Sequence, residues 1–319
     1  MSTIAFHKHS ARKGRSWGQI FLHLVFILLC LCYVLPLMLV FSVALSDGLT
    51  LSNSGFTIFP VNPSLDTYRA IFRKPDQILN AYGVTIVFTV LTTIGALLFQ
   101  ATCAYALSRR EFKLRMPITF FLFFTTLFSG GMVPSYILIC SYLHLNNTIW
   151  VYIIPALVSV WNIIVLRTNF QTIPDSLVEA AIVDGAGEWR ICFTIMIPLC
   201  APALAAIGFL TFIGKWNDWM TTDIYVRDMN LYSLQYLLQR LLDEVEYAQQ
   251  LASEGVVGMD TLDVPSESFR FAMATVAMGP MIFVFPFFQK YFAFFCDLSG
   301  EKRVFHALPR HVIRPLVRS

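Results

Sequence analysis

The chain has 319 residues, 56% of them hydrophobic and only 13% charged, with a mean hydropathy of +0.64 and a formal net charge of +3. Soluble domains carry about 25% charged residues, so the composition excludes an ordinary water-soluble globule and points to lipid as the solvent. The basic residues are spread over many segments instead of gathered in one stripe, which argues against a nucleic-acid partner.

No Asp, Glu, Lys or Arg occurs in 16–46, 77–108, 116–166, 191–214 or 271–289. A membrane span needs about 20 apolar residues, and a central charge costs about 2.5–3.5 kcal/mol. The 116–166 window is too long for one span, and its polar middle, SYLHLNNT at 141–148, divides it. The pattern predicts an all-α integral membrane protein with six transmembrane helices, at about 19–45, 84–107, 117–140, 149–167, 198–216 and 271–294. The first helix follows Lys8, Arg12, Lys13 and Arg15. Its apolar run is far longer than the 7–15 residues of a signal-peptide core, so it reads as an uncleaved span.

Six spans place both termini on one side. The segments on that side carry fifteen Lys and Arg residues against five on the other, with three at boundaries unassigned, so both termini are expected in the cytoplasm. A cytoplasmic segment 1–18, a permease domain 19–296 and a basic cytoplasmic tail 297–319 follow, with outside segments at 46–83 and 217–270. The second outside segment holds ten of the twenty acids, and 231–247 has Leu234, Leu237, Leu238, Leu241 and Leu242 at helical spacing. Such a segment suits docking of an external partner.

The seven cysteines lie in or beside apolar runs without a CxxC pair, and the six histidines form no HExxH motif. The cysteines read as small buried hydrophobes, and neither residue type is expected to hold a metal. No cofactor is expected on this chain.

Between the fourth and fifth spans runs IPDSLVEAAIVDGAGEWRICFTIMIP at 173–198. Ser176 and Glu179 have capping-box spacing after Pro174, Ala180 and Ala181 favour helix, and Gly185 and Gly187 interrupt it. A compact helix–turn–helix is predicted, its second helix ending at Pro198. This loop resembles the EAA coupling loop of ATP-binding-cassette (ABC) importer permeases, carried here by Glu179, Ala180, Ala181, Gly185, Ile195 and Pro198. The longer EAAIVDGA at 179–186, which adds Asp184, resembles that of the maltose-type, carbohydrate-importing permeases of bacterial plasma membranes. Further likenesses to that family are LDTYRAIF at 65–72, AYALSRREF at 104–112 and WNDW at 216–219, while FSGGMVP at 128–134 and LYSLQYL at 231–237 resemble its oligosaccharide- or glycan-importing subgroup.

The resemblance implies a type I ABC importer permease fold with no catalysis of its own. ATP and magnesium would be bound by two separate ATPase subunits, on which the 170–198 loop acts. It also implies a second homologous permease, an extracellular solute-binding protein and a carbohydrate substrate. The chain itself has no GxxxxGK[ST] phosphate loop. It departs from the family after QKYF at 289–292, where AFFCDLSGEK at 293–302 and a basic extension replace a short Gly-rich tail, so the family's tail contact is not carried over. Sugars are held by hydrogen bonds and aromatic faces. The in-span candidates for the pathway are Gln100, Tyr105, Tyr136, Tyr152, Trp161, Asn162 and Trp216. Gly130, Gly131 and Pro134 would loosen the third span. The alternative is an ion-gradient-driven secondary transporter, which predicts intramembrane acids that the apolar windows lack.

Overall fold

The computed structural model describes residues 17–46, 55–60, 62–73, 75–253 and 266–298. The segment before Trp17, the basic tail after Leu298 and residues 254–265 of the second outside segment lie outside the described residues. The helices, in chain order, are α1 (Trp17–Ala44), α2 (Asp66–Ile71), α3 (Pro75–Ser108), α4 (Arg115–Leu127), α5 (Met132–Tyr142), α6 (Trp150–Ala156), α7 (Val160–Phe170), α8 (Asp175–Val183), α9 (Glu188–Leu199), α10 (Ala201–Trp216), α11 (Met220–Tyr225), α12 (Leu234–Ser253) and α13 (Ser266–Leu298). Among the described residues there is no strand, only an isolated bridge between Ser46 and Pro63. The architecture is all-α.

Among the described residues, three spans are single helices: α1, α3 and the 268–286 part of α13. The other three are broken, as the pairs α4–α5, α6–α7 and α9–α10, bent by 117°, 46° and 80°. Each break has a local cause. Between α4 and α5, Gly131 sits at φ +85°, which residues with a Cβ avoid, and Pro134 occupies the first turn of α5, where no amide donor is needed. Between α6 and α7, a 3-10 turn at Ile154–Ala156 carries Pro155, and Ser159 caps α7 by accepting from the Asn162 amide at 3.4 Å. Between α9 and α10, Cys200 leaves the helical region with Pro198 and Pro202 on either side.

Two differences from the sequence expectation follow. The second span begins at Pro75, not near 84, and its 34 residues exceed the about 20 needed to cross the hydrocarbon. Its first turns therefore extend beyond the length needed to cross the hydrocarbon. Pro198 also lies inside a helical run instead of ending it. A π-helical stretch, Ile191–Met196, precedes it; widening the helix there relieves the clash of the proline ring with the carbonyl one turn earlier.

The described residues fall into two compact units, Met1–Ile71 with Gln249–Val276, and Phe72–Ala248 with Ala277–Ser319. In the first, the Ser42 hydroxyl donates to the Thr57 carbonyl at 2.9 Å and Phe56 packs edge-on against Phe271. At the start of α2, the Ser64 hydroxyl and then Arg69 hold the Asp66 carboxyl below its usual range.

The second unit has two cores strung along α3. One joins Phe88 to Ile139, Val151, Tyr152, Ile153, Val226 and Tyr232. The other gathers Ala101, Ala104, Tyr105 and Leu107 of α3 with Ile163, Leu166 and Phe170 of α7, Val178 and Ala181 of α8, and Ile191, Cys192 and Met196 of α9. α10 approaches α3 closely: a Cβ built on Gly208 would stand 2.9 Å from a Leu97 methyl. Small residues permit such close helix packing in membranes.

Candidate functional site

The connection between α7 and α10 is built as the sequence pattern predicts, a helix, a tight turn and a second helix. α8 starts without the expected capping box. Its N-cap is Pro174, no side chain caps it, and Ser176 and Glu179 lie inside the helix. Pro174, at ψ 131°, turns the chain into the helix. Asp175 then sits in the first turn, where a carboxylate meets the positive end of the helix dipole.

The turn after α8 is a Schellman motif. The Ala186 amide donates to the Ala181 carbonyl and the Gly185 amide to the Ile182 carbonyl, both at 2.9 Å. Gly185 holds the left-handed position at φ +77°, with open space around its missing Cβ. Its requirement is therefore conformational and not one of room. Ala181 and Val178 are buried in the core below, whereas Glu179, Asp184, Gly185 and Pro198 are exposed and Ala180 and Ile195 are half-buried.

Among the exposed residues of this loop are three large apolar ones. Val183 is 85% exposed and Trp189 73%, and Ile182 is exposed beside them. Trp189 stacks on Phe193 with 13° between the ring planes. Two polar links tie the loop's inner side to the end of α3 and the turn after it. The Tyr105 hydroxyl donates to the Glu188 carboxylate, and Arg109 lies 3.9 Å from Glu188 and 3.4 Å from Glu111. Arg110 lies 3.7 Å from Asp175. Spacing within the loop could not reveal these links, since their partners are many tens of residues upstream. Glu188, Arg109 and Arg110 were not singled out by the sequence.

The in-span candidates separate into two sets. Gln100 is fully buried, and its amide donates at 3.0 Å to the Leu157 carbonyl freed at the α6–α7 break. Asn162 donates to the Gln100 carbonyl oxygen at 3.1 Å, so these two satisfy each other and the backbone. Tyr152 is fully buried, stacks on Phe88 at 4.3 Å between centroids, and donates to the Leu231 carbonyl at 2.8 Å. Trp216 is buried, and its indole N–H donates to the Ala277 carbonyl at 3.1 Å. Trp161 and Tyr136 are exposed, Tyr136 stacking on Tyr225 at 5.9 Å.

The segment that follows α10 is anchored by the same kind of backbone capture. Asn147 accepts from the Arg227 and Asp228 amides at 3.0 and 2.8 Å. The Leu234 amide at the start of α12 donates to Thr85 of α3 at 2.8 Å. Asp218 accepts from the Thr221 amide in the first turn of α11 at 3.0 Å and pairs with Lys215 at 2.7 Å. Among the described residues no group of three or more His, Cys, Asp and Glu is placed to hold a metal ion.

A model of the family described as binding-protein-dependent transport system inner membrane component matches residues 9–294. The chain belongs to that family. It is 35% identical over 270 residues to the polygalacturonan/rhamnogalacturonan transport system permease protein YtcP of Bacillus subtilis (strain 168), covering 85% of this chain and 92% of the relative. To Protein LplC of the same organism it is 32% identical over 260 residues, covering 82% and 86%. A chain from the crystal structure of a bacterial ABC transporter involved in the import of the acidic polysaccharide alginate shares its fold, with a TM-score of 0.73 and 28% identity, covering 91% of this chain and all of the other. This inner-membrane permease is thus the membrane component of an importer and not an enzyme, and ATP hydrolysis belongs to a separate subunit.

Proposed function

We propose that this permease forms half of the translocation pathway for an oligosaccharide or larger glycan. Its other half is a second, homologous permease in a pseudo-twofold pair. Two ABC ATPases sit beneath the pair, and an extracellular solute-binding protein delivers the sugar. The observation that carries the reading is the loop from α8 to α9, with an apolar exposed tip of Ile182, Val183 and Trp189 and an inner side tied to α3. An exposed apolar tip on a braced loop suits insertion into a groove of a partner. The Glu179, Asp184 and Gly185 edge would meet the groove's rim. Glycan as substrate class is supported by relatives and a structural neighbour that handle polygalacturonan, rhamnogalacturonan and alginate.

The mechanism is alternating access. Closure of the ATPases on ATP pushes the loop, and the Glu188–Tyr105 link passes the movement to α3. The broken spans α4–α5 and α6–α7 supply segments able to line a cavity. Trp161 and Tyr136 are the aromatic faces offered to sugar, while Gln100, Asn162, Tyr152 and Trp216 hold the frame around it. Both termini and the loop are assigned to the cytoplasm on the excess of basic residues there.

Reconstitution tests the reading. Liposomes holding this permease, its partner permease and the ATPases should take up glycan only with ATP inside and loaded binding protein outside. Uptake driven by an ion gradient without ATP would overturn it, and full-rate uptake without the second permease would overturn the heterodimer.

A further inference from the structure

Two cavities at the end of α3 share Arg109 and Glu111 in their walls. One, of about 370 Å3, is walled mainly by apolar surface from Thr102, Ala106, Phe112 and Trp189. The other, of about 410 Å3, is walled by polar groups and includes Arg110, Arg115, Gln171, Thr172 and Asp175. Side by side they make an apolar chamber joined to a basic one.

The charges of the basic chamber do not cancel. It holds Arg109, Arg110 and Arg115 against Glu111 and Asp175, and Arg109 also meets Glu188 of the apolar chamber at 3.9 Å, so the cation left over on this side is Arg115. Arg110 and Asp175 stand 3.7 Å apart with side chains 80% and 61% exposed, a surface pair too solvated to fix either group. Arg115 has no carboxylate within 4.0 Å among the described residues. The position matches the membrane surface: α3 ends at Ser108 and α4 starts at Arg115, so the intervening turn lies where membrane helices emerge. Basic pockets between spans on the cytoplasmic side suit anionic headgroups.

We propose that this double chamber binds one anionic phospholipid of the cytoplasmic leaflet. Its phosphate lies on Arg110 and Arg115, and an acyl chain lies in the Thr102–Ala106–Phe112–Trp189 chamber. The site touches both ends of the loop, Asp175 at the start of α8 and Glu188 and Trp189 at the start of α9. On the coupling role proposed above, lipid occupancy would brace the loop against α3 and tune the response to ATP.

The test is lipid binding by native mass spectrometry on the purified, detergent-solubilised complex, with dioleoyl phosphatidylglycerol and dioleoyl phosphatidylcholine as probes. Phosphatidylglycerol should bind preferentially. Arg110→Gln with Arg115→Gln should weaken it about 30-fold, from two lost cations near the surface, while Arg110→Lys with Arg115→Lys should restore most binding. Lys113→Gln, which removes a cation of the same turn outside both chambers, should change it little. Ala106→Phe, filling the apolar chamber, should weaken the diacyl lipid. Equal binding of the two lipids, or an unchanged Arg110→Gln/Arg115→Gln variant, overturns the proposal. So does displacement by millimolar inorganic phosphate, which would make this a free-anion site. Binding to the permease alone that vanishes when the ATPases are seated also overturns it, since the arginines would then belong to an acidic protein surface. None of these readouts needs transport, so a wrong substrate class would not disturb them.

Discussion

The Tyr105 hydroxyl, near the end of α3, donates a hydrogen bond to the Glu188 carboxylate that opens α9, across 83 residues of sequence. Arg109, just past the end of α3, approaches the same carboxylate at 3.9 Å. A push on the loop therefore acts on the longest helix of the second unit through a polar latch as well as through the packing of Ile191 and Cys192 against α3.

Tyr105→Phe removes the latch without changing the ring that packs edge-on against Phe170. Glu188 is more than half exposed, so the loss should be about 1 kcal/mol, below that of a buried charged hydrogen bond. In the reconstituted complex, stimulation of ATP hydrolysis by loaded binding protein should fall about fivefold, the factor matching that energy. Basal hydrolysis should persist. Glu188→Gln keeps an acceptor and should do less harm. Unchanged stimulation in Tyr105→Phe would remove the latch from the coupling path.

Much of this was legible in the sequence, for reasons that differ by element. Charge-free windows marked every span because lipid tolerates few charges anywhere along a helix. The loop's turn was readable because Gly185 must adopt φ +77° and a glycine after Glu-Ala-Ala signals a C-cap. Of the three sharp bends only the first was hinted at, by Gly130, Gly131 and Pro134, since a proline can kink, start or be absorbed into a helix. The 80° bend and the π-helical stretch before Pro198 depend on tertiary packing. Gln100 looked like a sugar ligand because an isolated amide in a span has few local partners. Its partner, the Leu157 carbonyl, is freed only by a break 57 residues away.

Gly185 is the residue whose replacement should separate strain from contact. A β-branched residue in the left-handed region costs about 1–2 kcal/mol, so Gly185→Val should distort the Schellman turn. Gly185→Asp is better tolerated by the backbone but adds a charge at an exposed turn. Both should abolish coupled ATP hydrolysis, with Val lowering the melting temperature more. Gly187→Ala, at φ −74° and in open space, should behave as the parent. Normal sugar-stimulated hydrolysis in Gly185→Asp would sink the coupling role.

Tyr152→Phe tests the frame against the pathway. The hydroxyl is held by the Leu231 carbonyl at 2.8 Å and the Thr222 hydroxyl at 2.9 Å, both buried or nearly so. Deleting it should destabilise the permease by about 1–3 kcal/mol, the cost of leaving such partners unpaired. Thermal unfolding of the solubilised complex reads that loss directly. The apparent KM for glycan uptake should not move. A raised KM with unchanged stability would instead place Tyr152 on the sugar's route.

The outside segment 218–267 should receive the solute-binding protein. It is long for a connection between successive spans, where 2–8 residues are usual, and it concentrates half of the chain's twenty acids. The structure shows where it can be cut. Leu234, Leu237 and Leu238 are buried, and the Leu234 amide is fixed to Thr85, so the first turns of α12 belong to the frame. Glu244, Glu246 and Tyr247 are exposed. Replacing residues 244–263 by a short Gly/Ser linker therefore leaves the anchored turns in place, and loop length by itself costs little stability. Membrane insertion and assembly should survive, judged by co-purification of all subunits. Stimulation of ATP hydrolysis should require a higher concentration of loaded binding protein and reach a lower plateau. If neither the concentration dependence nor the plateau changes, the segment is a passive connection and docking occurs elsewhere.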